Sequence, residues 1–159
     1  MKRLLAIGLI ALTLFAMAPA MAQTSDNILQ VLQKDGSFSN MVSLLRTTNQ
    51  DRSLATAGPF TILVPTNDAF TKLTPTSLNN IMSNRFVQNG FTRNSMISGK
   101  YTTDQLVSMG YARKLDGRRL PVTRASDGTV TIGGAKVVKP NIQARNGIIQ
   151  GVDAIIIPG

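Results

Sequence analysis

The stretch FTILVPTNDAFTKL, Phe60 to Leu73, changes period halfway along its length. Phe60, Ile62 and Val64 alternate with Thr61, Leu63 and Pro65, and a two-residue period in β-branched and aromatic residues predicts a strand. At Pro65 that pattern stops. Thr66 offers a hydroxyl to the free N–H groups of a helix start, Asp68 falls where the positive end of a helix favours an anion, and Ala69, Phe70 and Leu73 have helical spacing. A strand is therefore expected to run straight into a capped helix. Thr66, Asn67 and Asp68 are open to two uses, contact with a ligand or support of the turn. Caps and turns draw on the same residue types, which favours support, with the Asn67 amide bonded to nearby backbone.

Upstream, Lys2 and Arg3 precede an apolar run from Leu4 to Met17, and Ala20-Met21-Ala22 has the small-x-small pattern of a signal-peptidase site. Residues 1 to 22 are expected to be a signal peptide, with the mature chain starting at Gln23. No later apolar run is long enough to cross a bilayer, so no transmembrane segment is expected after cleavage. With no Cys, neither a lipid anchor through cysteine nor a disulfide framework is available. Residues 23 to 159 suit one domain stabilised by burial alone, in a secreted or periplasmic protein.

The composition excludes much chemistry. There is no His, Cys or Trp, and every acid is an Asp, which removes His-based triads, Cys nucleophiles and the common transition-metal sites. No G-x-S-x-G elbow, S-x-x-K, phosphate-binding glycine loop or D-x-D-x-D calcium loop occurs. Neither catalysis nor a cofactor or metal is expected; a hydrolase using Ser or Thr with Lys or Asp is the remaining enzymatic alternative. The formal charge is +9, or +7 without Lys2 and Arg3, and it is uneven. Residues 93 to 145 hold ten Lys or Arg against three Asp, whereas residues 23 to 92 hold five against four.

Ser25 or Asp26 can cap a helix carrying Ile28, Leu29, Val31 and Leu32 and ending at Lys34-Asp35-Gly36, and Phe38 to Leu45 has the spacing of a second amphipathic helix. Ala55, Ala57 and Gly58-Pro59 make a small-residue approach to Phe60. Another short helix starts at Pro75, residues 84 to 95 read as a helix turning into a strand, Ile97 to Tyr101 reads as a turn, and Thr103 caps a helix before Gly110. Beyond Tyr111 the pattern is short strands, Tyr111 to Leu115, Leu120 to Arg124, Thr129 to Ile132 and Ala135 to Val138, joined by two-residue turns at Asp116-Gly117, Asp127-Gly128 and Gly133-Gly134. A final strand or two is expected between Ile148 and Ile157, with Ile155 to Ile157 covered on both faces. Helices first and strands later predict an α+β domain.

TILVPTNDAFTKL resembles the first signature block of the fasciclin domain family, T-x-F-A-P-T-N-x-A-F, and Asn146 to Pro158, NGIIQGVDAIIIP, is similar to the second. The spacing of the blocks and the stretch Ser98 to Leu106 fit as well, so the likeness covers residues 24 to 159. It implies a fasciclin-like β wedge or sandwich flanked by several short helices, used for adhesion and matrix interaction without catalysis. Two departures bear on function. Where many relatives carry a Tyr-His pair this chain has Asn94 and Ser95, and an acidic Asp-Ile linked to integrin recognition is here Asn141-Ile142, a neutral amide and so a poorer ligand for a hard cation.

Arg113, Lys114, Arg118, Arg119 and Arg124 crowd twelve residues around one expected hairpin. With Lys136, Lys139 and Arg145 they are candidates for one face that binds an anionic polymer, polysaccharide or phosphate-rich, or else for a solvated face that keeps the protein soluble. Specific nucleic-acid binding is not expected, because stacking needs aromatics and Tyr111 is the one nearby. Asn146-Gly147 is expected to form a type I′ turn, and Asp153 to find an Arg or backbone partner, both structural. The leading functional expectation is a secreted adhesion or binding module for a cell-surface or matrix protein or polysaccharide, with polyanion binding by the basic half as the alternative.

Overall fold

A computed structural model describes residues 24 to 156. The expected signal peptide and Ile157 lie outside them. Seven helices, α1 (Ile28–Lys34), α2 (Ser39–Thr47), α3 (Gln50–Thr56), α4 (Asn67–Thr71), α5 (Pro75–Ser83), α6 (Arg85–Asn94) and α7 (Thr103–Met109), surround one sheet among the described residues. Its strands are β1 (Phe60–Pro65), β2 (Met96–Ser98), β3 (Tyr111–Arg113), β4 (Arg119–Arg124), β5 (Val130–Ile132), β6 (Ala135–Ala144) and β7 (Gly147–Val152), in the order β2-β1-β7-β6-β5-β4-β3. This is the α+β architecture expected. All neighbours are antiparallel except β1 and β7, which run parallel with Phe60 opposite Gly147 and Pro65 opposite Val152.

The two ends of the sheet meet. Just past β3, Lys114 bridges Ile97 of β2, and the Leu115 N–H donates to the Met96 carbonyl at 3.2 Å. This contact covers edges that would otherwise present unpaired backbone groups. The sheet therefore curls into a wedge around β1 and β7, and β1 divides two cores. Ile62 and Val64 face a helix-side cluster with Phe38, Leu44, Leu45 and Phe91, while Leu63 faces a strand-side cluster with Ile97, Leu106, Val122 and Ile132. Burying such side chains contributes about 1.5 to 3 kcal/mol each.

Several boundaries differ from expectation. The α1 cap is Asn27, whose side chain accepts from the Gln30 N–H while Gln30 reaches back, rather than Ser25 or Asp26. Thr102 plays the same part for α7, one residue before the expected Thr103. Helix α3 has one buried apolar residue, Leu54, and so no periodicity to announce it. Of the three turns, Gly133-Gly134 is a two-residue loop with positive φ at both positions. The other two are three-residue loops that end on Gly117 and Gly128, both at φ 87°, and their Asp116 and Asp127 carboxylates accept from the N–H two residues on. Strand β6 runs six residues beyond the expected Val138, through two register shifts, one between Val137 and Lys139 and one between Lys139 and Ile142, where Pro140 and Asn141 lie. The last strand ends at Val152, so Ile155 and Ile156 are not strand residues; each packs from outside, Ile155 on the helix-side core and Ile156 on the strand-side core.

Candidate functional site

The polar residues after β1 line an open cleft of about 610 Å³ with Gly36, Ser37, Lys72, Val138, Lys139 and Asp153. Asn67 is consumed by the fold: its Oδ1 accepts from the Asn40 N–H at 3.1 Å and its Nδ2 donates to the Gly36 carbonyl at 2.9 Å and the Ser39 hydroxyl at 3.0 Å. The expected bonding to backbone is present, but across 27 to 31 residues rather than locally. Thr66 occupies the N-cap position of α4, yet its hydroxyl makes no capping bond. The physical reason is that the Thr66 carbonyl already takes the Ala69 N–H at 3.0 Å, closing a tighter turn. Asp68 is exposed in the first turn of α4.

The other cleft charges are paired. Lys139 donates to both Asp35 oxygens, at 2.9 and 3.2 Å, and to the Ser37 hydroxyl at 2.8 Å. The Lys139 ammonium, with the Ser37 N–H, holds the Asp35 carboxyl below the usual carboxylate range. Asp153 lies just past β7, accepts from the Lys136 N–H at 3.0 Å, and stands 3.4 Å from the Lys72 ammonium, so its charged partner is a Lys rather than an Arg.

Asn146 and Gly147 do not form a type I′ turn. The two-residue loop between β6 and β7 is Arg145-Asn146, and neither residue has a positive φ. Gly147 is already in β7, and a Cβ there would lie 2.0 Å from the Phe60 carbonyl oxygen and 2.7 Å from Ile28 Cδ1. Close approach, not turn geometry, demands glycine. The Asn146 side chain accepts from the Ile28 N–H at 2.9 Å and donates to the Leu54 and Ala57 carbonyls at 2.8 and 2.7 Å, while its own carbonyl accepts from Phe60 at 3.1 Å. Sequence spacing carries no sign of these partners.

The eight cations are spread over several places. Alternation along β3 puts Tyr111 and Arg113 outward and Ala112 and Lys114 inward, so Lys114 is only 6% exposed and reaches Asn94 Oδ1 at 2.7 Å. The two-residue period across the expected strand Tyr111 to Leu115 already carried this signal, since it sets Lys114 on the same side as Ala112. Arg124 is directed toward α7, where it pairs with Asp104. Lys139 belongs to the cleft, and Arg145 lies beside α1 and α3, its guanidinium 3.5 Å from the Ala55 carbonyl. Arg118 sits at the β3–β4 turn, 3.4 Å from Asp116.

Arg113, Arg119 and Lys136 come together on the outer face of β3 to β6. Arg113 stands opposite Arg119, and Thr131 opposite both Thr123 and Lys136, so all five share the face away from the strand-side core. The Thr123 and Thr131 hydroxyls bond at 2.6 Å. The Arg119 guanidinium lies 4.3 Å from the centre of the Tyr111 ring, a contact that sequence reading did not anticipate. Among the described residues no carboxylate pairs with Arg113 or Arg119. A hydrogen bond from the Thr129 N–H, with a smaller effect of Lys136, holds the Asp127 carboxyl at the β4–β5 turn below its ordinary value.

Asn141 has a positive φ at a β6 irregularity. Its amide is used internally, accepting from the Thr103 N–H and Gln150 Nε2 at 2.9 Å each and donating to the Thr103 hydroxyl at 3.2 Å. It is a staple for the start of α7.

Comparison with known proteins places this geometry. An uncharacterised Synechocystis protein is 29% identical over 84% of this chain and 98% of its own length. The transforming growth factor-beta-induced protein ig-h3 of rabbit is 26% identical over 92% of this chain, which spans 21% of that protein, and the immunogenic protein MPB70 of Mycobacterium bovis is 24% identical over 77%, spanning 58% of its length. In structure the chain is similar to a FAS1 domain pair from the insect cell adhesion molecule fasciclin I, with a TM-score of 0.75 at 16% identity, covering 84% of this chain and 51% of that one. The fasciclin domain model matches residues 36 to 158, which include both signature blocks, and the chain belongs to the fasciclin domain family.

Proposed function

We propose that this is an exported binding module, cut from its signal peptide before Gln23 and folded as one domain, that adheres to a cell-surface or matrix partner without catalysis. The observation that carries the reading is that the side chains of the signature residues Asn67, Asn146 and Asp153 engage partners within the fold, which leaves recognition to surface that those side chains do not form. The adhesion molecule among the similar structures and the absence of His, Cys and Glu from the chain support it. Retention of the purified protein on whole cells and on purified surface polysaccharides, at two salt concentrations, tests the reading; no retention on any of these surfaces would remove it. N-terminal sequencing of the exported protein, expected to begin at Gln23, tests the cleavage.

The second reading, polyanion binding, is favoured by Arg113, Arg119 and Lys136 sharing one outer face. It expects retention that falls steeply with salt.

A further inference from the structure

Arg113 and Arg119 are directly opposed across two antiparallel strands, and both are exposed. Like charges so placed are destabilising, yet no carboxylate of the described residues neutralises them. Instead the Arg119 guanidinium is fixed over Tyr111. A preorganised, uncompensated cation pair is the arrangement that an external anion stabilises. Lys136 extends the charge along the same face: with strands about 4.8 Å apart and about 3.3 Å per residue, it lies on the order of 15 Å from Arg119. A single small anion cannot bridge that span, whereas a linear polymer can, and the Thr123 and Thr131 hydroxyls lie between the cations to meet its oxygens. Nucleic acid is disfavoured because Tyr111 is the one aromatic among these face residues and Arg119 already lies over its ring, which leaves no row of rings on which successive bases could stack.

We infer that the outer face of β3 to β6 binds a linear anionic polysaccharide, with Arg113, Arg119 and Lys136 as its anion contacts. The inference rests on the binding-module reading and names its ligand class. Heparin is the probe, with the full purified protein and circular dichroism to verify folding. Arg113→Glu/Arg119→Glu is expected to weaken heparin affinity about tenfold or more at low salt, while Arg46→Glu/Arg52→Glu, the same charge change on exposed positions of α2 and α3, has a much smaller effect. A heparin oligosaccharide competes, and inorganic sulfate at equal ionic strength does not. Arg113→Gln, which removes the like-charge contact, is expected to weaken binding without lowering the melting temperature. Equal losses for the two double variants would show bulk charge alone and overturn the site, as would stronger retention on single-stranded DNA than on heparin. Loss of face dependence with cell binding intact would overturn this assignment and leave the module reading standing; a wild-type protein retained on no surface would overturn both.

Discussion

The cleft beside α4 and the outer face of β3 to β6 are both polar and both open, but they differ in how their groups are used. In the cleft, Asn67 makes three hydrogen bonds, Lys139 is clasped by Asp35 and Ser37, and Asp153 holds Lys72 and the Lys136 backbone. On the outer face, Arg113 and Arg119 stand opposite one another, and among the described residues no carboxylate pairs with either. Satisfied polar groups bind the fold together, and uncompensated ones are free to bind something else. Family motifs and functional surface therefore need not coincide.

The contrast is broken most severely at the motif side. Gly147→Ala drives a Cβ into the Phe60 carbonyl, where backbone must move, and is expected to lose about 3 kcal/mol or more in a denaturant melt. Asn146→Ala strands the Ile28 N–H and two carbonyls and is expected to lose about 2 to 3 kcal/mol by the same measurement. Neither loss would be expected of residues whose main task is ligand contact.

These two positions also show what a sequence can reveal. The strand from Phe60, the helix after it and the hairpins were legible because each rests on local signals, a two-residue period, helical spacing or a Gly at positive φ. The signature blocks made the fold legible too. The partners of Asn146 and Asn67 were not, since they lie 27 to 118 residues away and leave no local trace. Helix α3 stayed hidden for a different reason, having a single buried apolar residue. The basic residues were visible as a crowd, but a crowd in sequence does not define a face. Strand alternation turned Lys114 inward and left Arg113 outward, and only the register of β3 to β6 assembled Arg113, Arg119 and Lys136.

Two smaller effects sharpen the comparison. The Asp35 carboxyl is held low mainly by its bond to Lys139, so its contribution is fully present above the unfolded carboxyl value of about 3.9 and fades as pH falls through the lower folded value. Lys139→Met is therefore expected to lower the unfolding free energy at pH 7 by at most about 1 kcal/mol for this partly exposed pair, and by less at pH 2.5. Smallest of all is Thr66→Val. A working cap hydroxyl would lose about 1 kcal/mol, whereas a hydroxyl that makes no capping bond is expected to leave the melt within about 0.5 kcal/mol.

The most direct test of whether function lies on the face or in the cleft is a cell-binding isotherm at low salt for three proteins: wild type, Arg113→Glu/Arg119→Glu, and Thr66→Val/Asp68→Ala. The account expects the face variant to lose most of its binding and the cleft variant to match wild type. A cleft variant that folds but no longer binds, beside a face variant that binds normally, would contradict it.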